Sequence, residues 1–143
     1  MDLFQELILE HSKRPQHAGL REPFEAEVHH VNPTCGDEET LRVQLDGDVV
    51  RDISYEAVGC SISTASASVM TDLMIGRSLA DDDATLQEFL AMLRGKGHYE
   101  PDEELLEDAV AFQGTARLSA RVKCALLSWM AYQDAVTRAQ EDS

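Results

Sequence analysis

Apolar and polar residues alternate in two neighbouring stretches of the chain, residues 41–45 and 49–57. A period of two is the pattern of a strand that buries one of its faces. The pair Asp46-Gly47 separates the two stretches, and Asp-Gly is a preferred turn of short hairpins because it accommodates positive φ angles. The pattern therefore predicts an antiparallel hairpin, and residues 25–31 predict a third strand ahead of it.

Helical spacing of apolar residues appears on either side of these strands. Residues 2–12 repeat apolar side chains at the intervals of an amphipathic helix. After Cys60 the spacing becomes helical again, and Ser61 or Ser63 is the expected N-cap. The sequence therefore predicts one helix before the strands and one directly after them.

Capping signals predict two further helices. The run 85–88, Thr-Leu-Gln-Glu, matches a capping box and predicts a helix start, with the end of that helix near Gly95. The acidic run 81–83 before it is expected to form a polar loop. Pro101 suits the first turn of another short helix.

A long final helix is predicted over about residues 115–140. Its apolar stripe consists of Leu118, Val122, Ala125, Leu126 and Trp129. Cys124 lies about 200° from Val122 at an advance of roughly 100° per residue, so its thiol is expected to point away from the stripe. Such a position favours a site over core filling, unless the helix is buried on two sides.

These elements predict an α+β fold in which a three-stranded antiparallel sheet packs against several helices. The chain has 143 residues, of which 43% are hydrophobic, and this is enough for one packed core. No repeat or linker interrupts it. We therefore expect a single domain over residues 1–143.

Acidic residues outnumber basic ones by 27 to 12, which gives a formal net charge of −15. This charge disfavours nucleic acid and membranes as partners, because phosphate backbones and anionic lipid surfaces repel it. The sequence begins without a basic and apolar leader and contains no apolar run long enough for a membrane span. A cytoplasmic location is therefore expected.

Three cysteines lie in segments that favour a reactive or metal-binding thiol. Cys35 lies in Asn-Pro-Thr-Cys-Gly-Asp, Cys60 in Gly-Cys-Ser-Ile-Ser, and Cys124 follows Arg-Val-Lys. An odd number of cysteines in a reducing compartment favours metal ligation or a reactive thiol over disulfides. Together with Asp37 they offer three thiolates and a carboxylate, the number of groups that a closed tetrahedral zinc site requires.

The local sequence supports each of these ligands. Gly36 permits a positive φ that would turn the side chains before and after it towards a common point. Cys60 precedes a helix, and the N–H groups of a helix N-terminus favour a thiolate. Arg121 and Lys123 are cationic neighbours that are expected to favour the thiolate of Cys124.

The five histidines are rival ligands. His29 and His30 are adjacent, and on a strand their side chains face opposite ways, so at most one could reach a site near Cys35. The others lie in a predicted helix end and in loops. We therefore expect no histidine in the site.

These motifs, in this order and spacing, resemble the SufU family of zinc-dependent sulfurtransferases, relatives of the IscU and NifU N-terminal-like proteins of iron–sulfur cluster assembly. The resemblance extends from the first predicted helix to the last. It implies that Cys35, Asp37, Cys60 and Cys124 hold a zinc ion and that Cys35 accepts persulfide sulfur. By the same resemblance, Arg121 is a candidate for shielding the persulfide.

The resemblance also implies partners. The expected sulfur donor is a pyridoxal-phosphate-dependent cysteine desulfurase of the SufS type, and in the family mechanism a histidine of that enzyme replaces Cys35 on zinc. The sulfur then passes to Suf-type cluster assembly machinery. The chain is thus expected to act as a sulfurtransferase, either as an enzyme or as a co-substrate of the desulfurase.

Two other functions would use the same residues. One is a scaffold on which a [2Fe-2S] cluster is assembled by the three cysteines and Asp37. The other is a purely structural zinc module. The IscU scaffolds have a histidine directly before their last cysteine, where this chain has Lys123. They also have a shorter connection before that cysteine, so both differences favour sulfur transfer.

Overall fold

The computed structural model of the protein describes residues 2–141, and in this range no helix is both long and apolar enough to cross a bilayer. The elements in chain order are α1 (Leu3–Lys13), β1 (Ala26–Asn32), β2 (Asp37–Asp46), β3 (Val49–Val58), α2 (Ser61–Met74), α3 (Leu79–Arg94), α4 (Glu103–Leu106), a 3₁₀ helix (Glu107–Arg117) and α5 (Ser119–Glu141).

The three strands form one antiparallel sheet in the order β1-β2-β3. Gly47 has a φ of 58° in the turn between β2 and β3, as the Asp-Gly pair predicts. β2 begins at Asp37, ahead of the stretch that the alternation marked, and Asp37 lies opposite Asn32 in the ladder. The predicted α+β fold with a three-stranded antiparallel sheet is confirmed.

Helices cover one face of this sheet. Leu41, Val43 and Ile53 point into that face and are fully buried. α5 packs against β1 and β2 on one side and against α2 on another. Phe89 of α3 stacks on Trp129 of α5 with ring centroids 3.9 Å apart and planes 8° from parallel. This core supports the end of the sheet at which β2 starts and β3 ends.

The starts of α2 and α3 differ from the sequence prediction. Cys60 itself is the N-cap of α2, in place of Ser61 or Ser63. The Ser63 hydroxyl donates to the Cys60 carbonyl oxygen at 3.0 Å, so it is already inside the helix. α3 begins at Leu79 because the Ser78 hydroxyl accepts a hydrogen bond from the N–H of the third residue beyond it, at 3.1 Å.

The earlier start of α3 changes the place of two predicted segments. The acidic run 81–83 is helical rather than a loop, and carboxylates in a first turn are favoured by the helix dipole. Thr85 of the predicted capping box is a buried interior residue whose hydroxyl donates to the Leu105 carbonyl at 3.1 Å. The predicted helix end is confirmed, because Gly95 is the C-cap.

The predicted final helix is divided in two. The 3₁₀ helix occupies its first part, and α5 begins only at Ser119. Leu118 is 58% exposed and Val122 is half-buried, whereas Cys124 is 1% exposed. The predicted stripe is therefore buried at Ala125 and Trp129 and exposed only at Leu118, which precedes α5. Cys124 is buried as well because α5 is packed on two sides.

Candidate metal centre

Four elements bring the predicted ligands to one end of the sheet. Cys35 lies on the loop 33–36 between β1 and β2, and Asp37 is the first residue of β2. Cys60 follows β3 directly and caps α2. Cys124 lies in the second turn of α5. The fold thus gathers residues that are remote in sequence.

The ligand atoms of Cys35, Asp37 and Cys124 all lie within 4.8 Å of one another. The Cys124 thiol donates to Cys35 Sγ at 3.1 Å. Cys60 lies beside this group rather than within it, and its backbone N–H donates to Asp37 Oδ1 at 2.9 Å. The structure therefore brings three predicted ligands together and connects the fourth to them through Asp37.

Asp37 is a fully buried carboxylate. Its Oδ1 accepts from the Cys60 N–H, and its Oδ2 accepts from Asn32 Nδ2 at 3.5 Å. Within residues 2–141, no lysine, arginine or histidine forms an ion pair with it. Burial of a charge is costly unless an opposite charge compensates it. A cation bound among these side chains would provide that charge.

Cys124 is nearly inaccessible to solvent, and burial raises the pKa of its thiol. Interactions with the side chains of Cys35, Asp37 and Cys60 raise this pKa further. The expectation that Arg121 and Lys123 favour its thiolate is wrong, since neither contributes to the shift. In the absence of a cation, Cys124 therefore remains a protonated thiol.

Cys35 is the exposed member of the group. Its loop is a tight turn in which the Cys35 N–H donates to the Asn32 carbonyl at 3.3 Å. Gly36 has a φ of 71°, which confirms the predicted positive angle at this position. The turn presents Cys35 to solvent at the mouth of a site whose other members are buried or half-buried.

Cys60 is half-buried at the N-terminus of α2. Its Sγ lies 3.8 Å from Ser63 Oγ. Gly59 precedes it, and the backbone at Gly59 approaches the Asp37 carboxylate so closely that no side chain would fit there. This approach is what allows the Cys60 N–H to reach Asp37.

Four of the five histidines form side-chain contacts outside the candidate ligand group. His30 Nε2 lies 2.9 Å from an Asp134 carboxylate oxygen, and His29 Nδ1 lies 2.9 Å from Thr40 Oγ1. His11 pairs with a serine on α2, and His17 lies 3.5 Å from a carboxylate of the same helix. Neither neighbour of the Cys35 loop, His29 or His30, belongs to the ligand group.

Arg121 lies at the start of α5, three residues before Cys124. It borders an apolar groove that is also lined by Phe4, Ile62 and Leu118. Ile62 belongs to the first turn of α2, two residues after Cys60. Contact of Arg121 with a persulfide on Cys35 stays a prediction.

Sequence reasoning missed the role of Asn32. It is the last residue of β1, it is 6% exposed, and its side-chain amide faces both Asp37 and Cys124. A signal was present, because Asn32 has the parity of Ala26 and Val28 on β1 and therefore belongs to the inward face. A polar residue at an inward position requires a polar partner.

Three thiols and a carboxylate at the end of a helix-covered sheet define a small α+β protein with a group of side chains that could hold a metal ion. The family model of the NifU-like N terminal domain matches residues 3–125 of the chain. The chain belongs to this family.

Relatives in the family carry two kinds of name. The chain is 39% identical over 138 residues to the zinc-dependent sulfurtransferase SufU of Bacillus subtilis (strain 168), covering 95% of this chain and 90% of the relative. It is 40% identical over 136 residues to the iron–sulfur cluster assembly scaffold protein IscU of Streptococcus pyogenes serotype M1, and this match covers 95% of this chain and 84% of the relative.

A solved structure agrees with this assignment. The crystal structure of FiSufU from Fervidobacterium islandicum AW-1, a candidate cluster assembly scaffold of the SUF system, superposes with a TM-score of 0.85. The two chains are 33% identical, and the match covers 92% of this chain and 94% of the other. The helix-covered three-stranded sheet is therefore the fold of the family.

Proposed function

We propose that this protein is a zinc-dependent sulfurtransferase that accepts persulfide sulfur from a cysteine desulfurase and supplies it to iron–sulfur cluster assembly. The observation that carries the proposal is the convergence of Cys35, Asp37 and Cys124, with Cys60 bonded to the same carboxylate. The similarity to SufU of Bacillus subtilis supports it.

The residues present fit zinc. Three sulfurs and one carboxylate oxygen form a donor set that suits a tetrahedral zinc site. Asp37 is buried, and no lysine, arginine or histidine in residues 2–141 forms an ion pair with it. Cys35, Asp37, Cys60 and Cys124 would hold the ion. When bound, zinc supplies the positive charge that keeps the thiols deprotonated near neutral pH.

The exposed Cys35 is the group that a partner can reach. As a thiolate it attacks the outer sulfur of a persulfide on the desulfurase cysteine. The bond between the two sulfurs of that persulfide breaks, and the desulfurase cysteine leaves as a thiolate. Cys35 then carries the extra sulfur as its own persulfide, and no oxidant or reductant is consumed.

The partner that fits this chemistry is a pyridoxal-phosphate-dependent cysteine desulfurase of the SufS type. The acceptor beyond it is the Suf-type cluster assembly machinery. A net charge of −15 favours fast association with a basic surface on such a partner. Three free thiols are suited to a reducing compartment, which supports a cytoplasmic location.

A [2Fe-2S] scaffold is the second candidate function. The 40% identity to the IscU scaffold of Streptococcus pyogenes favours it, and the same four side chains would hold the cluster. Protein purified without oxygen separates the two functions. A colourless protein loaded with zinc supports sulfur transfer, and a brown protein loaded with iron supports the scaffold.

The direct test measures the turnover of a cognate cysteine desulfurase with and without this protein. The zinc-loaded protein should stimulate turnover, and the chelated protein should not. Cys35→Ala should abolish stimulation, whereas Gly114→Ala, which introduces a methyl group into open space on the 3₁₀ helix, should leave it intact. Stimulation by Cys35→Ala equal to that by the unmodified protein would overturn the proposal.

A further inference from the structure

Asn32 connects the sheet to the metal centre. It is the last residue of β1 and lies opposite Asp37, the first residue of β2, at the closing pair of the ladder. Only 6% of Asn32 is exposed. A buried amide must find hydrogen-bond partners inside the protein, because an unpaired amide has lost its hydrogen bonds to water without replacing them.

The partners of the Asn32 amide are two of the proposed ligands. Its Nδ2 donates to Asp37 Oδ2 at 3.5 Å and lies 3.8 Å from Cys124 Sγ. Within residues 2–141, these are the acceptors that the structure gives this nitrogen. An amide NH₂ carries two hydrogens, so it can serve both acceptors at once.

The direction of the amide follows from the charges that it faces. A carboxylate only accepts hydrogen bonds, and a metal-bound thiolate has only lone pairs to offer. The opposite orientation of the amide would place Asn32 Oδ1 against Asp37 and Cys124 and would be repulsive. The NH₂ group of Asn32 therefore faces the ligands.

The same contacts distinguish one ligand from the others. The Asn32 side chain contacts Asp37 and Cys124 but not Cys35. Asn32 and Cys35 are joined through the backbone of the turn, where the Cys35 N–H donates to the Asn32 carbonyl at 3.3 Å. Within residues 2–141, the sulfur of Cys35 accepts its hydrogen bond from the Cys124 thiol, at 3.1 Å. Cys35 is also the exposed ligand.

We propose that Asn32 is a positioning residue that holds Asp37 and Cys124 as the fixed pair of the metal centre. This inference rests on the proposed zinc site. Hydrogen bonds from outside the ligand sphere orient ligands, and losing such a partner typically lowers metal affinity about ten- to hundred-fold.

The test compares zinc affinity and cobalt(II) spectra among purified full-length variants. Asn32→Leu is close to the same size and removes the donor, Asn32→Ser retains a shorter donor, and Thr34→Ala alters the same loop at an exposed position. Zinc affinity is measured by competition with a chromophoric chelator. The thiolate-to-cobalt charge-transfer band reports how many thiolates are bound, and the d–d bands report the geometry.

Asn32→Leu should bind zinc about ten- to hundred-fold more weakly and should shift the d–d bands of the cobalt(II) form. Asn32→Ser should lie between this variant and the parent, and Thr34→Ala should match the parent. If Asn32→Leu fails to fold, the Asn32→Ser comparison decides, because a merely structural residue would change thermal stability without moving the cobalt(II) bands.

The failure of this inference can be told apart from the failure of the proposed function. If the parent binds zinc tightly and the folded Asn32 variants match its affinity and cobalt(II) spectrum, the positioning role is wrong while the zinc site stands. If the parent binds neither metal, the proposed function fails and this inference fails with it.

Discussion

A methyl group at Gly59 is a sharp test of the metal centre. An alanine Cβ there would overlap Asp37 Oδ1 and would lie 2.6 Å from Ser63 Oγ and 2.9 Å from Asp37 Cγ. The Ser63 hydroxyl can rotate away. The Asp37 carboxylate is enclosed on all sides, so it can yield only by turning away from the N–H of Cys60.

The size of the effect follows from the contacts that are lost. Gly59 does not have a positive φ, so an alanine carries no backbone strain there and the perturbation is steric. Turning Asp37 breaks its 2.9 Å bond to Cys60, and a hydrogen bond to a charged group contributes about 1.5–3 kcal/mol. Because the same rotation displaces a ligand oxygen, we expect zinc affinity to fall roughly ten- to hundred-fold.

The assay for Gly59→Ala is competition for zinc against a chromophoric chelator, together with thermal unfolding of the metal-free protein. Gly114→Ala is the matched control, because no atom lies within 4 Å of its added Cβ. The control should bind zinc as the parent does. The reasoning would be refuted if folded Gly59→Ala bound zinc within about two-fold of the parent, since Asp37 would then not be a ligand in the observed position.

Three further predictions concern stability. Burial raises the pKa of Asp82 from 3.8 to about 7, although Arg77 opposes the shift. The free energy of unfolding therefore decreases as this buried carboxyl ionises, between the lower and the higher of these two pKa values. Asparagine does not ionise, so the free energy of unfolding of Asp82→Asn, measured by chemical denaturation, should rise relative to that of the parent by roughly 2 kcal/mol between about pH 4 and about pH 7. A difference between the two proteins that does not change with pH would contradict this. Trp129→Ala should lower the free energy of unfolding by about 3–5 kcal/mol in the same assay. The substitution removes a fully buried ring that stacks on Phe89 and whose Nε1–H donates to Ser66 Oγ at 2.9 Å. A loss below about 1 kcal/mol would be inconsistent with that packing. Chelation of the zinc-loaded protein should lower its melting temperature, since zinc binds the folded state, and equal melting of loaded and stripped protein would count against the site.

Local patterns were sufficient for the sheet. The alternation of residues 41–45 and 49–57 and the Asp46-Gly47 turn are encoded by neighbouring residues, and the hairpin formed as predicted. The start of α3 was missed because two capping signals compete within ten residues of one another. The helix begins after Ser78 because Ser78 caps its first turn and the helix dipole stabilises the acidic residues in that turn. The run 85–88 therefore lies inside the helix.

The residue types of the candidate site could be predicted from the sequence, but the environment of those residues could not. The motifs around Cys35 and Cys60 are local, and Gly36 adopted the positive φ that the sequence requires. The burial of Cys124 depends on α5 being packed on two sides, which no periodicity within one helix reveals. The contact of Asn32 with Cys124 joins residues 92 positions apart, so it becomes visible only in the folded chain.

The placement of the four proposed ligands suits exchange better than static binding. Moving Asp37 would disturb the first pair of the β1–β2 ladder, and moving Cys124 would disturb a buried turn of α5. Releasing Cys35 disturbs the 3.1 Å contact of its sulfur with the Cys124 thiol and a turn bond of 3.3 Å on an exposed loop. Of these three proposed ligands, Cys35 should therefore need the least free energy for release, and it is also the one exposed to solvent. A purely structural zinc module gains nothing from such an asymmetry, because its stability increases when every ligand is equally fixed. A site that must give up one thiolate to a docking partner and keep its metal meanwhile requires this arrangement.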